Sequence, residues 1–154
     1  MGFQGFGEIA EQLRRSTVEV KSGRRGQGSG FIVKSDGVIV TNSHVAGEAG
    51  LSVRLWDGSS FPAGLTARST RRDLAVLQIS TRNLTPVALA NSDALRVGEL
   101  VMAVGNPFGF AGAVTTGIVH AIGRLPGLGA TRWIQADVQL APGNSGGPLA
   151  DARG

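Results

Sequence analysis

Ser145 sits in the segment Ala141-Pro-Gly-Asn-Ser-Gly-Gly-Pro-Leu149, with Gly143 two residues before it and Gly146-Gly147 directly after. A serine hydroxyl becomes a useful nucleophile when a base takes its proton and nearby donors stabilise the oxyanion that its attack creates. Glycines on both sides permit the tight turn that aims successive backbone N–H groups at such an oxyanion, and they leave room for a substrate carbonyl. The same residues also read as a plain Gly-Asn-Ser loop leading into a strand opened by Pro148. The segment alone therefore leaves catalysis open, and the partners decide.

Two histidines compete for the role of base. His44 follows the apolar run Val38-Ile-Val-Thr-Asn-Ser43, at an expected strand end where a side chain can face a cleft. His120 lies inside the run Val114–Ile122 and reads as an ordinary strand residue. The group that orients the base should be a carboxylate beside apolar sequence. Asp73 fits, standing at the mouth of Leu74-Ala-Val-Leu-Gln-Ile79, whereas Asp36, Asp57 and Asp93 have the surroundings of turn residues. Asp137 is the one rival, in an expected strand near Ser145; its other reading is a hydrogen-bonded support for strand or loop. The candidates fall in the order His44, Asp73, Ser145.

Other chemistries find less support. The chain has no cysteine, which excludes disulfides, a thiol nucleophile and thiolate-held zinc or iron–sulfur centres. Two histidines argue against a His-rich metal site, and 11 scattered acids form no evident glycosidase pair. Gly26-Gln-Gly-Ser-Gly30 has the glycine content of a phosphate loop without its Gly-Lys-Ser/Thr ending, and it opens onto a strand, so a backbone role is expected. Asn83-Leu-Thr85 fits a glycosylation acceptor, which matters only in a secreted eukaryotic protein. No metal and no cofactor are expected.

The elements that must position these residues are short and β-branched. A chain of 154 residues with 42% hydrophobic and 17% charged residues is long and apolar enough for one packed domain. Its 24 glycines without a three-residue period imply many turns. Residues 8–16 predict one or two helical turns with Ile9 and Leu13 on one face. Strands are predicted at Thr17–Val20, Gly30–Val33, Val38–Thr41, Leu51–Trp56, Phe61–Ala67, Leu74–Ile79, Leu100–Val104, Val114–Ile122 and Arg132–Leu140. Asp36-Gly37 and Asp57-Gly58 mark tight hairpins between such runs. Strands without crossover helices indicate an antiparallel sandwich or barrel, and the turn-rich stretch Ser80–Arg96 separates two strand clusters. The expected organisation is an amino-terminal segment 1–16, a first β unit 17–80, a linker 81–96 and a second β unit 97–154.

No run reaches the roughly 18 apolar residues of a membrane span. Met1–Gly7 has no basic n-region and no apolar h-region follows, so no signal peptide is expected; the chain is either cytoplasmic or part of a longer precursor. The net charge of +4 comes from 15 basic and 11 acidic residues. The doublets Arg14-Arg15, Arg24-Arg25 and Arg71-Arg72 are scattered and lack interleaved aromatics. They read as a solvated surface, and no nucleic-acid partner is expected; steep salt-dependent DNA binding would say otherwise.

Six segments together resemble trypsin-like serine proteases of the HtrA/DegP type: Gly28-Ser-Gly-Phe-Ile-Val33, Val40-Thr-Asn-Ser-His-Val45, Asp73-Leu-Ala-Val-Leu77, Gly105-Asn-Pro-Phe-Gly109, Val114-Thr-Thr-Gly-Ile-Val119 and Pro142-Gly-Asn-Ser-Gly-Gly-Pro-Leu149. The resemblance runs from about residue 8 to the end. It implies an all-β fold of two perpendicular six-stranded barrels with the site between them. It also implies His44 as general base, Asp73 as its orienter and Ser145 as nucleophile of a chymotrypsin-order triad. The oxyanion hole falls on Gly143, Asn144 and Ser145, with the N–H groups of Gly143 and Ser145 as donors. Asn144 stands where digestive relatives carry an Asp, which argues against activation by a new N-terminal amine and for switching by loop rearrangement. Gln139, Leu140 and Ala141 would border the specificity pocket and favour small or medium apolar side chains. The implied substrates are misfolded proteins or peptides, the implied assembly a homotrimer, and the implied compartment the periplasm or cell envelope.

Family members continue past the nucleophile through at least two more strands and usually one or more PDZ domains. This chain ends nine residues after Ser145 and carries no PDZ segment. The second barrel is therefore expected to be incomplete. A catalytically inactive peptide-binding module or inactive fragment is the alternative to a serine endopeptidase.

Overall fold

A computed structural model describes residues 5–24, 26–47 and 49–154. Met1–Gln4, Arg25 of the second arginine doublet, and Glu48 lie outside the described residues. Helix α1 (Phe6–Ser16) opens the chain. Ten strands follow: β1 (Thr17–Ser22), β2 (Gly26–Lys34), β3 (Val38–Thr41), β4 (Leu51–Arg54), β5 (Ser60–Ser69), β6 (Leu74–Ile79), β7 (Leu100–Gly105), β8 (Ala113–Arg124), β9 (Arg132–Ala136) and β10 (Leu149–Asp151). The first six close into a barrel in the order β1-β2-β3-β6-β5-β4, and the last four form a sheet in the order β10-β7-β8-β9. The architecture is all-β, a closed barrel followed by a four-stranded sheet that does not close.

Local chemistry accounts for the turns. In α1 the Glu8 carboxylate accepts from the Gly5 N–H, Arg14 and Arg15 occupy the last turn, and Ile9 and Leu13 are buried four residues apart. The helix starts two residues earlier than the apolar spacing predicts. Between β2 and β3, Gly37 has φ 98°, and its carbonyl accepts from the Ile79 N–H. Between β4 and β5, Asp57 accepts from the N–H and hydroxyl of Ser59 while Gly58 takes φ 87°.

The barrel core is built from alternating inward residues: Val18 and Val20 of β1, Ile32 of β2, Ile39 of β3, Val53 of β4, and Leu77 and Ile79 of β6. A smaller cluster of Ile9, Leu13, Met102 and Val104 seats α1 on β7. Among the described residues one ionisable side chain is sunk into the barrel wall. The Glu19 carboxylate, 3% exposed, faces Arg54 Nε at 2.6 Å and accepts from Gln27 Nε2 at 2.6 Å.

Of the predicted strands only β3 and β6 keep their bounds: β2 begins four residues early at Gly26, β1, β5, β7 and β8 run longer, and β4 stops at Arg54 rather than Trp56. β9 stops at Ala136 rather than Leu140, because Asp137 turns its carboxylate back to the Ile118 N–H of β8 at 2.6 Å. β10, just three residues long, pairs antiparallel with β7. Among the described residues no helix is long and apolar enough to cross a membrane.

Candidate active site

His44 lies three residues beyond β3, in a turn where the N–H groups of Val45 and Ala46 both point to the Asn42 carbonyl. The buried side chains of Val45 and Ala46 pin that turn to the barrel, so His44 alone is left facing out. Asp73 closes the β5–β6 turn, its N–H donating to the Thr70 carbonyl, and it adopts φ 52°. That left-handed backbone is tolerated by Asp better than by most residues, and three bonds hold it. Asp73 Oδ2 meets His44 Nδ1 at 2.6 Å, Asp73 Oδ1 accepts the His44 N–H at 2.9 Å, and the Asp73 carbonyl accepts from Asn42 Nδ2 at 2.9 Å. A carboxylate accepts and does not donate, so Nδ1 carries the proton and the Nε2 lone pair is free. The His44 and Asp73 side chains are 58% and 45% exposed.

The Ser145 turn is held by its carbonyls. The Ala141 carbonyl accepts from Asn144 N–H, Pro142 from Phe108 N–H, Asn144 from Gly147 N–H, and Ser145 from Ser29 N–H, at 2.8–3.1 Å. The Gly143 carbonyl accepts from the Ser29 hydroxyl at 2.7 Å. In a trans peptide the N–H points opposite to the C=O. With the Pro142 and Asn144 carbonyls tied to the protein, the N–H groups of Gly143 and Ser145 point the other way, and among the described residues they meet no acceptor. Gly143 (φ 102°) and Gly146 (φ 91°) make the turn possible; a Cβ on the first would collide with the Asn106 carbonyl, and on the second with the Ser29 carbonyl.

Ser145 is exposed and lines an open cleft of about 910 Å³ together with Asn42, Leu140, Ala141 and Asn144. Among the described residues no hydrogen bond joins Ser145 Oγ to the His44 ring. Of the specificity candidates, Gln139 donates its N–H to Thr115 Oγ1, Leu140 is 66% exposed, and Ala141 anchors the nucleophile turn. Asp137 does not approach His44. It stands 3.7 Å from His120, and the Ile118 N–H donating to it holds its carboxyl below the ordinary value, with His120 adding to the effect. Two residues that the sequence places inside quoted motifs without a role of their own, Ser29 and Asn106, prove central to the turn's geometry. Their signal in the sequence is their place in two of the six motifs, as polar residues set among glycines and apolar positions.

The trypsin-like peptidase domain model matches residues 28–154. A "probable periplasmic serine endoprotease DegP-like" of Pseudomonas putida is 49% identical over 129 residues, covering 82% of this chain and 27% of that protein. Its counterpart from Hahella chejuensis is 47% identical over 143 residues, covering 92% of this chain and 30% of that protein. The chain thus spans under a third of the length of these relatives. Among solved structures, the HtrA-type protease AlgW with a tripeptide superposes with a TM-score of 0.90 at 35% identity, over 97% of this chain and 51% of that one.

Proposed function

This chain belongs to the trypsin-like peptidase family, in its HtrA/DegP branch, and from that premise we propose that it forms the catalytic part of a serine endopeptidase acting through His44, Asp73 and Ser145. The observation that carries this reading is the 2.6 Å contact between His44 Nδ1 and Asp73, which leaves Nε2 as a free base. Nε2 takes the Ser145 proton as Oγ attacks a peptide carbonyl. The tetrahedral oxyanion is held by the N–H groups of Gly143 and Ser145. Collapse breaks the C–N bond, and the imidazolium gives its proton to the leaving amine. Water, deprotonated by the same nitrogen, then hydrolyses the acyl-enzyme and restores Ser145.

Leu140, flanked by Gln139 and Ala141, would border an apolar primary pocket that takes small or medium apolar side chains. The substrates we propose are unfolded or misfolded polypeptides in the periplasm or cell envelope, since the relatives are named periplasmic and the AlgW neighbour holds a peptide. We assign the first barrel, residues 17–80, to carrying base and orienter, and residues 97–154 to carrying the nucleophile, across the linker 81–96. A homotrimer is the proposed assembly, which light scattering of the purified chain tests.

A fluorophosphonate probe tests the chemistry without requiring a known substrate. Labelling of the chain that is lost in Ser145→Ala is the expected result. A folded chain that does not label, or that labels equally in Ser145→Ala, overturns the reading.

A further inference from the structure

Ser29 lies on β2 of the first barrel and is fully buried, yet its side chain points at the nucleophile turn of the other half. Its hydroxyl has one proton and two lone pairs. Both acceptor sites are taken by Asn106, whose backbone N–H donates to Ser29 Oγ at 2.9 Å and whose Nδ2 donates at 3.2 Å. N–H groups cannot accept, so the hydroxyl's one proton is forced toward the Gly143 carbonyl at 2.7 Å. Asn106, 3% exposed, is itself fixed, with Nδ2 on the Val18 carbonyl at 2.9 Å and Oδ1 accepting from Gly112 N–H at 3.0 Å.

The Ser29 backbone completes the link. Its N–H donates to the Ser145 carbonyl at 2.8 Å, and its carbonyl accepts from Thr41 Oγ1 at 2.6 Å. Thr41 ends β3, one residue before Asn42, whose carbonyl closes the His44 turn and whose amide holds Asp73. Ser29 thus grips the nucleophile turn at two carbonyls and the base-bearing strand at one hydroxyl.

We propose that Ser29 is the positioning residue that registers the Ser145 turn of the second half against the His44–Asp73 pair of the first, with Asn106 aiming its hydroxyl. This rests on the proposed peptidase reading for its kinetic consequence, though not for its structural one. Removing the hydroxyl leaves the part-buried Gly143 carbonyl without its donor and frees a glycine-rich turn to rotate. The nucleophile and the oxyanion donors then spend less time in the reactive arrangement, which lowers kcat and leaves substrate binding nearly unchanged.

The test compares the wild-type chain with Ser29→Ala, Ser29→Thr and Asn106→Ala, measuring peptide-hydrolysis kcat and KM, fluorophosphonate labelling rate, and amide hydrogen exchange by segment. For Ser29→Ala and Asn106→Ala we expect kcat and labelling to fall roughly ten- to a hundredfold, with KM changed less than about twofold. We expect exchange to rise in residues 141–147 while β1–β6 keep their protection. Ser29→Thr, which keeps a hydroxyl at the same atom, recovers most of the rate. Unchanged kcat and exchange in Ser29→Ala overturn the proposal. So does exchange that rises throughout the barrel with kcat and KM failing together, the mark of a residue that only stabilises the fold. A wild-type chain without turnover or labelling sinks the peptidase reading instead. Exchange alone then decides: a rise confined to 141–147 retains the positioning role, and no rise ends it.

Discussion

At the scale of single residues, the site separates groups that do chemistry from groups that leave them no alternative geometry. Asp73 is the clearest case. Its two oxygens hold His44 at the ring and at the backbone, so the imidazole cannot turn its protonated nitrogen toward the nucleophile. Asp73→Asn can offer an amide N–H to Nδ1, which favours the wrong tautomer; labelling by a fluorophosphonate should fall about 10⁴-fold while the thermal unfolding midpoint moves little. A fall under tenfold would mean that Asp73 does not orient the base. Gly146 is held to account differently. At φ 91° with the Ser29 carbonyl where a Cβ would go, Gly146→Ala carries about 1–3 kcal/mol from the backbone alone and must also displace β2. Denaturant titration should register that loss, and labelling should drop with it because the turn cannot stay in place.

At the scale of elements, what is legible in the sequence is what depends on neighbours along the chain. Asp36-Gly37 and Asp57-Gly58 announce hairpins because the left-handed backbone they need favours these residue types, and both glycines take it. β3 and β6 read directly, with the predicted bounds, because their short apolar runs pack into the barrel core. β10 follows the proline that the sequence reads as opening a strand, but its extent is not legible: three residues carry no period, and β7 supplies the edge they pair with. Nor is the end of β9, which a side chain decides when Asp137 takes the Ile118 N–H. The hydroxyl of Ser29 meets Gly143 across 114 positions of chain and the Asn106 N–H across 77, distances over which no local pattern extends. The Asp137 contact has a pH consequence. Its carboxyl is held below the ordinary value chiefly by the Ile118 N–H, so the folded state binds the proton less readily than the unfolded one. Its stabilising contribution is complete above the unfolded carboxyl range near pH 4 and is lost as pH falls through the lower folded value. Asp137→Asn should therefore unfold at a lower temperature than wild type at pH 7, with the two midpoints converging on acidification toward pH 2. Parallel curves would mean that the carboxylate's charge contributes nothing there.

At the scale of the whole molecule, the two halves are unequally built, and the site spans both. The first barrel is closed and packs ten buried residues in one core, whereas the second sheet keeps Leu100, Trp133, Ile134 and Leu149 at least a third exposed and relies on a cluster of four. Two of those four, Ile9 and Leu13, come from α1, which joins β1 directly. Helix α1 therefore brings apolar cover to β7 that the second sheet does not provide for itself. Burial scales with closed apolar surface, so the free energy of opening should be lower for β7–β10 than for β1–β6. Leu13→Ala removes much of one of the two side chains that give that cover, at a cost of about 2–5 kcal/mol where the site cannot collapse. Hydrogen exchange should then accelerate in β7, β8 and the 141–147 turn while β2, β3 and β6 retain wild-type protection. Fluorophosphonate labelling should slow in step, since the nucleophile rides on the loosened half and the base on the intact one. Equal acceleration in both halves would mean that the molecule opens as one unit. In that case the bonds Ser29 makes to Gly143 and Ser145 would bind the two sheets more strongly than either packs on its own.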